Sequence, residues 1–484
     1  MFTFWFGTIV FFGTYILIAT EKVHKTVAAL LGAVLMMLVI LPGPGHSAKQ
    51  EMPTAAPEVQ KVVENSASDV QKETLPPAEG HRDFSIAEKV EKFNKMDYFA
   101  RYSNFDVVFT LAGMMILVNL LSGTGLFQYV AIKCAKLAKG SPVRTMILLV
   151  IATAVLSAFL DNVTTILLIV PLTLLVAGEL GVKPIPFLMA ETMASNIGGT
   201  ATLIGDPPNL IIGSVANLDF MAFIINLTPF IAACMIIYCI ILAVYYSPRM
   251  HVTVEKRALI MELDENAAIK DPYNLKRGGI IMALTILGFL LHGAFHIQPC
   301  VVAMTGAAFA LLFCKVNVTE ALEKIEWETL FFFLSLFILV AGAEVCGLMT
   351  KIGSVLNLMD GWPVPVVVLV IMWGSAIAAA CMNNVSYTAA MASIVATFIS
   401  TSPMFKNSVE CQHLLWWGLA LAVCLGGNAT LVGAAANLVT VNIAAKNGHK
   451  MTFGDFLRYG IPVTLGSMIA ASIYIVARYY IVCR

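Results

Sequence analysis

The sequence predicts an all-α polytopic membrane protein built from two inverted repeats, and three observations lead to this prediction. The 484-residue chain is 59% hydrophobic and 12% charged, whereas a soluble domain carries about 25% charged residues. Apolar segments run continuously along the chain, unlike the alternating strands of a membrane β-barrel. Two polar, Gly-rich motifs lie in these apolar surroundings, GGTATLIGDPPN at 198–209 and GGNATLVGAAAN at 426–437. A duplicated polar motif at membrane depth favours a transporter.

The apolar segments predict about 11–13 transmembrane helices, with two segments broken by Gly or Pro. A polar stretch at 45–104 indicates an extramembrane loop, and the basic stretch 247–277 indicates a cytoplasmic linker. The domain prediction is therefore inverted repeat 1 over 1–246, the linker over 247–277 and inverted repeat 2 over 278–484. The predicted spans are 2–20, 26–43, 105–121, 144–160, 163–180, 186–215 (broken), 220–246, 278–295, 299–314, 329–349, 364–382, 385–400, 413–440 (broken) and 461–483.

Lysine and arginine residues in short loops predict which side of the membrane faces the cytoplasm. The loop 133–144 carries four basic residues and no acid, so we expect it in the cytoplasm with the linker. Counting spans outward from it puts Met1, the 45–104 loop and Arg484 on the outer side.

The two halves match at a constant displacement along the chain. FDVVFTLAGMMILVNLLSGTGL begins at residue 105, and the similar WETLFFFLSLFILVAGAEVCGL begins at residue 327. The same displacement takes Asp161 to Asn383 and Asn162 to Asn384. In the charge-derived topology the first segment runs inward and the second outward, so the repeats are predicted to be inverted, as in many secondary transporters.

Polar residues separate two apolar runs in each half. Asp161 and Asn162 lie between the runs 145–160 and 166–176, where an isolated charge costs several kcal/mol. Either both runs span the membrane and the polar pair forms a surface turn, or they form a re-entrant hairpin with its tip at mid-membrane. The recurrence of a polar pair at Asn383 and Asn384 favours the hairpin. Helix capping by the asparagines is expected in either case.

The Gly- and Pro-rich motifs predict discontinuous helices. Unwound backbone is tolerated at membrane depth only where it lines a cavity or is buried in protein, and its freed carbonyls can coordinate a cation. Neutral side-chain oxygens come from Asn196, Thr200, Thr202 and Asn209, and Asp206 adds a carboxylate.

The acids of the two halves are not matched, and they identify coupling candidates. Asp161 and Asp206 correspond to Asn383 and Ala434, so the first half alone carries these carboxylates. We expect them to carry a proton or bind a hard cation. Glu344 is either a third titrating group or a partner at a domain interface. Glu191 is interpreted as an ordinary acid near a helix N-terminus.

At LDNVTTILLIVP, ASNIGGTATLIGDPPN and GGNATLVGAAAN the chain resembles the ion transporter superfamily, and it is most similar to the arsenite permease, NhaD sodium–proton antiporter and P protein group with its citrate-transporter-like domain. More distantly it resembles the divalent anion/sodium symporters. The resemblance covers about 105–246 and 278–484. It implies a homodimer in which a mobile part, holding two hairpins and two broken helices, moves against a scaffold in an elevator-type cycle. We expect an integral protein of a bacterial-type inner (plasma) membrane.

Carried over by motif position, the resemblance implies a site built from both halves. Two departures from the P protein pattern are the absence of an acid in Ser122–Gly125 and in the second hairpin tip at Asn383. The implied substrate- or ion-binding residues are Asp161, Asn162, Thr164, Thr165, Asn196, Gly199, Thr200, Thr202, Asp206, Asn209, Asn383, Asn384, Thr388, Asn428, Thr430 and Asn437, with Asp161, Asp206 and Glu344 as proton-coupling candidates.

Sodium/proton antiport is the function that the sequence favours. Negative charge at the site favours a cation or a proton over a dicarboxylate, and the motifs contain no Lys or Arg to meet an anion. The alternatives are arsenite/antimonite efflux and sodium-coupled organic-anion symport of the citrate or dicarboxylate kind. Scattered cysteines without CxxC spacing and the lack of a catalytic cluster argue against an enzyme, a cofactor or any metal other than Na⁺. A formal net charge of zero gives no indication of nucleic-acid binding.

Overall fold

The computed structural model describes residues 2–20, 23–39, 103–262 and 264–483, so nearly all of the predicted 45–104 loop lies outside the described residues. The described part is helical throughout. Repeat 1 contains α1 (Phe2–Thr20), α2 (Lys25–Val39), α3 (Phe105–Gly123), α4 (Leu126–Leu137), α5 (Pro142–Phe159), α6 (Asn162–Leu180), α7 (Ile185–Gly199), α8 (Pro207–Ala216), α9 (Phe220–Asn226) and α10 (Thr228–Tyr246). The linker carries α11 (Val254–Glu262).

Repeat 2 follows with the same order of elements. It contains α12 (Pro272–Leu291), α13 (Pro299–Phe313), α14 (Val318–Glu323), α15 (Trp327–Val345), α16 (Leu348–Leu356), α17 (Val364–Cys381), α18 (Asn384–Thr401), α19 (Pro403–Lys406), α20 (Val409–Gly426), α21 (Ala435–Lys446) and α22 (Phe453–Arg478). Helices α3 to α6 correspond to α15 to α18 at the displacement that relates Phe105 to Trp327. The displacement from α8 to α21 is larger, because α19 lengthens the second copy.

Ten helices of the described ranges are long and apolar enough to cross a membrane, or eleven if the bent pair α8–α9 forms one span. Helices α2 and α13 have only 15 residues each, and the broken segments divide into shorter halves, so the count of ten lies one below the predicted range and the count of eleven at its lower limit. The predicted span 220–246 is in fact two helices. The chain bends by 112° between α8 and α9, where Asn217 adopts a left-handed conformation and Asp219 caps α9.

The first helices of each repeat interlock with the other repeat. Helix α2 packs along α15, and α13 packs along α3. Both α2 and α13 present small residues one turn apart, Ala29 and Ala33 on α2 and Ala303 and Ala307 on α13, and all four are buried. Small residues let helix backbones approach closely within a membrane. We call α2, α3, α13 and α15 the scaffold helices. Each half of the chain contributes two of them.

The hairpins are α5–α6 and α17–α18, and each packs against the broken helix of its own repeat. A side chain at Gly198 of α7 would lie 2.3 Å from the Ala154 carbonyl of α5, and one at Gly426 of α20 would lie 2.7 Å from the Ala376 carbonyl of α17. Glycine is therefore required at both positions, and each hairpin is held in backbone contact with the start of its chain break.

The linker docks on the turn between α3 and α4. The backbone N–H of Lys270 donates to the Thr124 carbonyl at 2.9 Å, and Lys133 and Lys136 pair with Glu265. Hydrogen bonds and charge attraction from the two lysines hold the pKa of Glu265 well below its usual range. The linker is therefore fixed to repeat 1.

Substituting the turn glycines tests this docking. Gly125 and Gly347 are equivalent residues with φ of 86° and 81°, but an added Cβ would meet the Ala268 carbonyl at 1.9 Å only at Gly125. We expect Gly347→Ala to cost about 1–2 kcal/mol through backbone strain alone. Gly125→Ala should cost more and should speed tryptic cleavage of the linker. Apparent melting temperature in detergent and limited proteolysis measure both effects, and equal behaviour of the two variants would contradict linker docking.

Candidate ion-binding site

At each hairpin tip, the residue just before the second helix caps that helix with its side chain. The Asp161 carboxylate accepts from the backbone N–H groups of Val163 at 2.9 Å and Thr164 at 3.0 Å, and also from the Thr164 hydroxyl. Asn383 accepts from the Val385 N–H at 3.0 Å. Both side chains are N-caps, which Asp and Asn fill about equally well. Asp161 is half-buried.

A threonine ties each chain break to its hairpin. The Thr202 hydroxyl donates to the Ala158 carbonyl and accepts from the Gly205 N–H at 3.2 Å. Thr430 makes the same two bonds, to the Ala380 carbonyl and from the Gly433 N–H at 3.1 Å. Backbone groups that the breaks release are thus satisfied by side chains, as burial away from water requires.

An asparagine closes each break from the other end. Asn209 donates to the Thr202 carbonyl at 2.8 Å, and Asn437 donates to the Gly427 and Thr430 carbonyls at 2.9 and 2.8 Å. Both asparagine side chains are fully buried. The two breaks therefore have the same internal bonding, which is direct evidence for a two-fold pseudosymmetry.

The two breaks also bond to each other across the pseudo-two-fold axis. Asn196 donates to the side-chain oxygens of Asn428 at 2.8 Å and Asn437 at 2.9 Å. Its equivalent, at the displacement that relates Asn209 to Asn437, is Cys424, whose sulfur lies 3.5 Å from the Asn209 side-chain oxygen. The site is thus a single cluster on the axis.

Asp206 breaks the symmetry of this cluster. Its carboxylate is fully buried and accepts from the amides of both hairpin tips, Asn162 at 3.2 Å and Asn384 at 3.5 Å. The equivalent residue is Ala434. No basic side chain pairs with Asp206 within the part of the chain that the structure describes. One buried carboxylate with neutral partners can take up a proton or a small cation.

The structure brings most of the predicted site residues to the two tips and the two breaks. Asn162, Asn196, Asp206, Asn209, Asn384, Asn428 and Asn437 form the bonded cluster, and Asp161, Gly199, Thr200, Thr202, Asn383, Thr388 and Thr430 form its backbone supports. Thr164 bonds to Asp161, and the Thr165 hydroxyl is buried without a hydrogen-bond partner among the described residues.

Glu344 lies apart from this cluster. It is exposed in the wall of a cavity of about 1220 Å³, which Asp106, Asp219 and His413 also line. None of the bonded cluster residues lines this cavity, which reaches the first break only at Leu203, so the assignment of Glu344 as a coupling group stays a prediction.

Two buried residues near the cluster were not predicted as site residues. Cys424 could have been found from the repeat, because it occupies the position of Asn196. The interpretation of Glu191 as an acid at a helix N-terminus is wrong. It is the seventh residue of α7, fully buried, and its carboxylate accepts from the Thr173 hydroxyl of α6 at 2.8 Å.

Comparison with known proteins assigns a family to this architecture. The family model described as citrate transporter matches residues 15–422, from α1 through most of α20. The chain belongs to the citrate transporter family. Together with transporter-named relatives, this membership makes the protein an integral membrane transporter.

Curated relatives of this citrate transporter family member include bacterial and animal proteins. A 46 kDa membrane protein of Mycobacterium leprae is 36% identical over 98% of both chains. An uncharacterized transporter of Mycobacterium tuberculosis is 40% identical over 78% of this chain and 87% of its own length. The P protein of Sus scrofa is 28% identical over 98% of this chain, which spans 59% of that longer protein.

A solved structure supports the fold. The crystal structure of the Alcanivorax borkumensis YdaH transporter, which is described as having an unusual topology, superposes with a TM-score of 0.58. It covers 92% of this chain and 97% of its own at 14% identity. The family member therefore has the transporter fold of two inverted repeats, each with a re-entrant hairpin and a discontinuous helix.

The paired threonines give a test of the site's construction. Thr202→Val and Thr430→Val keep the side-chain shape but leave a carbonyl and an N–H of the break unpaired. We expect each to lower the free energy of unfolding by about 1–3 kcal/mol, and the fully buried Thr202 to give the larger loss. Apparent melting temperature in detergent measures the loss. Thr397→Val is the control, because that hydroxyl bonds only within its own helix, to the Ser393 carbonyl. A control as destabilised as the pair would contradict the interpretation.

Proposed function

We propose that this transporter exchanges sodium ions for protons, with Asp206 as the group that carries one or the other. The observation that carries the proposal is the buried Asp206 carboxylate, which is held between two neutral amides and lacks a basic partner among the described residues. An unpaired buried charge is strongly unfavourable, so this carboxyl group is stable only with a proton or a bound cation. Competition between the two for one carboxyl group couples their movements.

The surrounding groups favour a small hard cation. Asn162, Asn196 and Asn384 offer amide oxygens when their side chains rotate, and the breaks offer backbone carbonyls, which are the ligands that such cations take. The cluster contains no Lys or Arg that could meet a free anion.

The division of the molecule supports an elevator-type cycle. Both amides that donate to the Asp206 carboxylate belong to hairpin tips, and both breaks adjoin these hairpins. The cluster residues all lie outside the scaffold helices α2, α3, α13 and α15. The hairpins and broken helices can therefore carry the bound ion as one body past the scaffold. We also propose a homodimer in a bacterial plasma membrane, in keeping with the mycobacterial relatives.

Cation-coupled citrate transport is the second candidate, and the family's description as citrate transporter favours it. In that case bound sodium or protons at Asp206 would offset the charge of the organic anion. Arsenite efflux remains the third candidate, because arsenous acid is neutral and needs only hydroxyl and amide partners.

A substrate screen separates these candidates. Purified protein in proteoliposomes with an internal pH dye is exposed to Na⁺, Li⁺, K⁺, citrate and arsenite in turn. We expect Na⁺ to release protons from the opposite compartment without an organic anion. Proton movement that requires citrate would replace antiport with symport, and arsenite uptake without cation dependence would favour the third candidate.

Neutralising the two acids separately tests the role of Asp206. Asp206→Asn keeps the size and removes the charge, so coupled exchange should fall at least about a hundredfold, the scale of losing an essential proton-transfer group. Asp161→Asn is the matched control, since Asn383 performs the same capping in repeat 2. It should fold normally and retain measurable exchange. Wild-type exchange in Asp206→Asn would refute the assignment.

A further inference from the structure

Glu191 is a second buried acid in the mobile part of the molecule, and Asp206 does not contact it. Its side chain is fully buried, and its only hydrogen-bond donor among the described residues is the Thr173 hydroxyl. The Tyr238 hydroxyl of α10 lies next to it and donates to the carbonyl of the preceding residue, Ala190, at 3.3 Å. Helices α5, α6, α20, α21 and α22, which also pack on α7, bring no ion-pair partner to it in the described ranges. A carboxyl group in this position is stable when it holds a proton.

A row of polar groups leads from Glu191 to Asp206. Ser195 lies one turn further along α7, on the same face as Glu191. Its hydroxyl donates to Ser157 at 3.0 Å and to the Asn162 carbonyl at 3.3 Å. That carbonyl belongs to the main chain, and the side-chain amide of the same Asn162 donates to Asp206 at 3.2 Å, so the two serines lie beside the Asp206 site without bonding to it directly. Glu191 lies about 9 Å of helix rise from the start of α7, at the end that the charge pattern assigns to the cytoplasm.

Asn162 keeps its amide in the second repeat as Asn384, but the other positions of this row, and Thr173 beside Glu191, have apolar counterparts. Thr173 corresponds to Val395, Glu191 to Leu419, Ser195 to Val423 and Ser157 to Ala379, and all eight side chains are fully buried. The same fold is therefore built in repeat 2 without a single polar group in these places. Packing does not require the row in repeat 1, and its presence there needs a functional explanation.

We propose that Glu191 relays protons between Asp206 and the cytoplasmic side, through the hydroxyls of Ser195 and Ser157. The proposal rests on the proposed sodium/proton exchange. During a cycle the protonated Glu191 first releases its proton towards the cytoplasm, and its carboxylate then takes up the proton that Asp206 gives up when sodium binds. The counterparts of Glu191 and Asp206 in repeat 2 are Leu419 and Ala434, which carry no acid, so the proposed relay leads to one side of the membrane only.

The competing explanation is that Glu191 only ties α6 to α7 through Thr173. Two substitutions separate the explanations. Glu191→Gln keeps an oxygen that can accept from Thr173 but cannot carry a proton. Thr173→Val, which installs the residue of repeat 2, removes the tie and keeps the acid.

The test compares two transport modes in proteoliposomes, sodium-driven proton movement and equilibrium exchange of ²²Na⁺ for Na⁺, which needs no proton. For Glu191→Gln we expect sodium-driven proton movement to fall at least about tenfold, while ²²Na⁺ exchange is retained. Thr173→Val should retain both modes. Thr192→Val is the control, since Thr192 is an equally buried neighbour that bonds to the Thr440 hydroxyl at 2.7 Å. It should behave as the wild type.

Other outcomes overturn the relay. Unchanged proton movement in Glu191→Gln, or equal loss of both transport modes in that variant, would refute it. Greater loss in Thr173→Val than in Glu191→Gln would favour the structural tie. If Glu191→Gln does not fold, the double variant Glu191→Leu with Thr173→Val supplies the apolar pair that repeat 2 already packs, and the same two modes are measured. A wild type without sodium-driven proton movement would remove the proposed function and the relay together, whereas failure of the relay alone leaves the exchange of the wild type intact.

Discussion

The backbone groups freed at the two chain breaks must find partners inside the protein, because the membrane interior supplies none. Thr202 and Asn209 in one break, and Thr430 and Asn437 in the other, meet this requirement with side chains. Each of these bonds also fixes the break against a hairpin or against its own second half. The threonines and asparagines of the polar cluster thus satisfy the backbone, whereas Asp206, which has Ala434 in its place in the second break, is not needed for this.

Much of this arrangement could be predicted from the sequence, because the repeated motifs and their constant displacement carry it. The repeated GGxATLxG and the polar pairs at Asp161 and Asn383 identified the breaks and the tips before any contact was known. The displacement that relates Phe105 to Trp327 also gave the equivalence of α3 to α6 with α15 to α18.

Other features depend on contacts that no local pattern encodes. The docking of the linker on the turn at Gly125 arises between segments far apart in sequence. Glu191 was misjudged although the predicted helix start at 186 lies one residue from the observed Ile185, because the seventh residue of a helix lies beyond the first turn, where the N-terminus acts. Sequence alone also could not place Glu344, since an acid in an apolar run can face either the cluster or a cavity, and here it lines the cavity.

Interlocking of the two repeats has a consequence for biosynthesis. Gly113 of α3 and Ala303 of α13 meet in the native scaffold. Helix α3 can pack against α13 only after the ribosome has translated the whole stretch between these two residues. At ribosomal speeds of about 5–20 residues per second, this delay is roughly 10–40 s. During that interval the face of α3 around Gly113 lacks its native partner and lies against lipid or against the insertion machinery. The first half of the chain is therefore inserted in the bilayer before it can pack completely. The native scaffold forms only after the second half has been inserted.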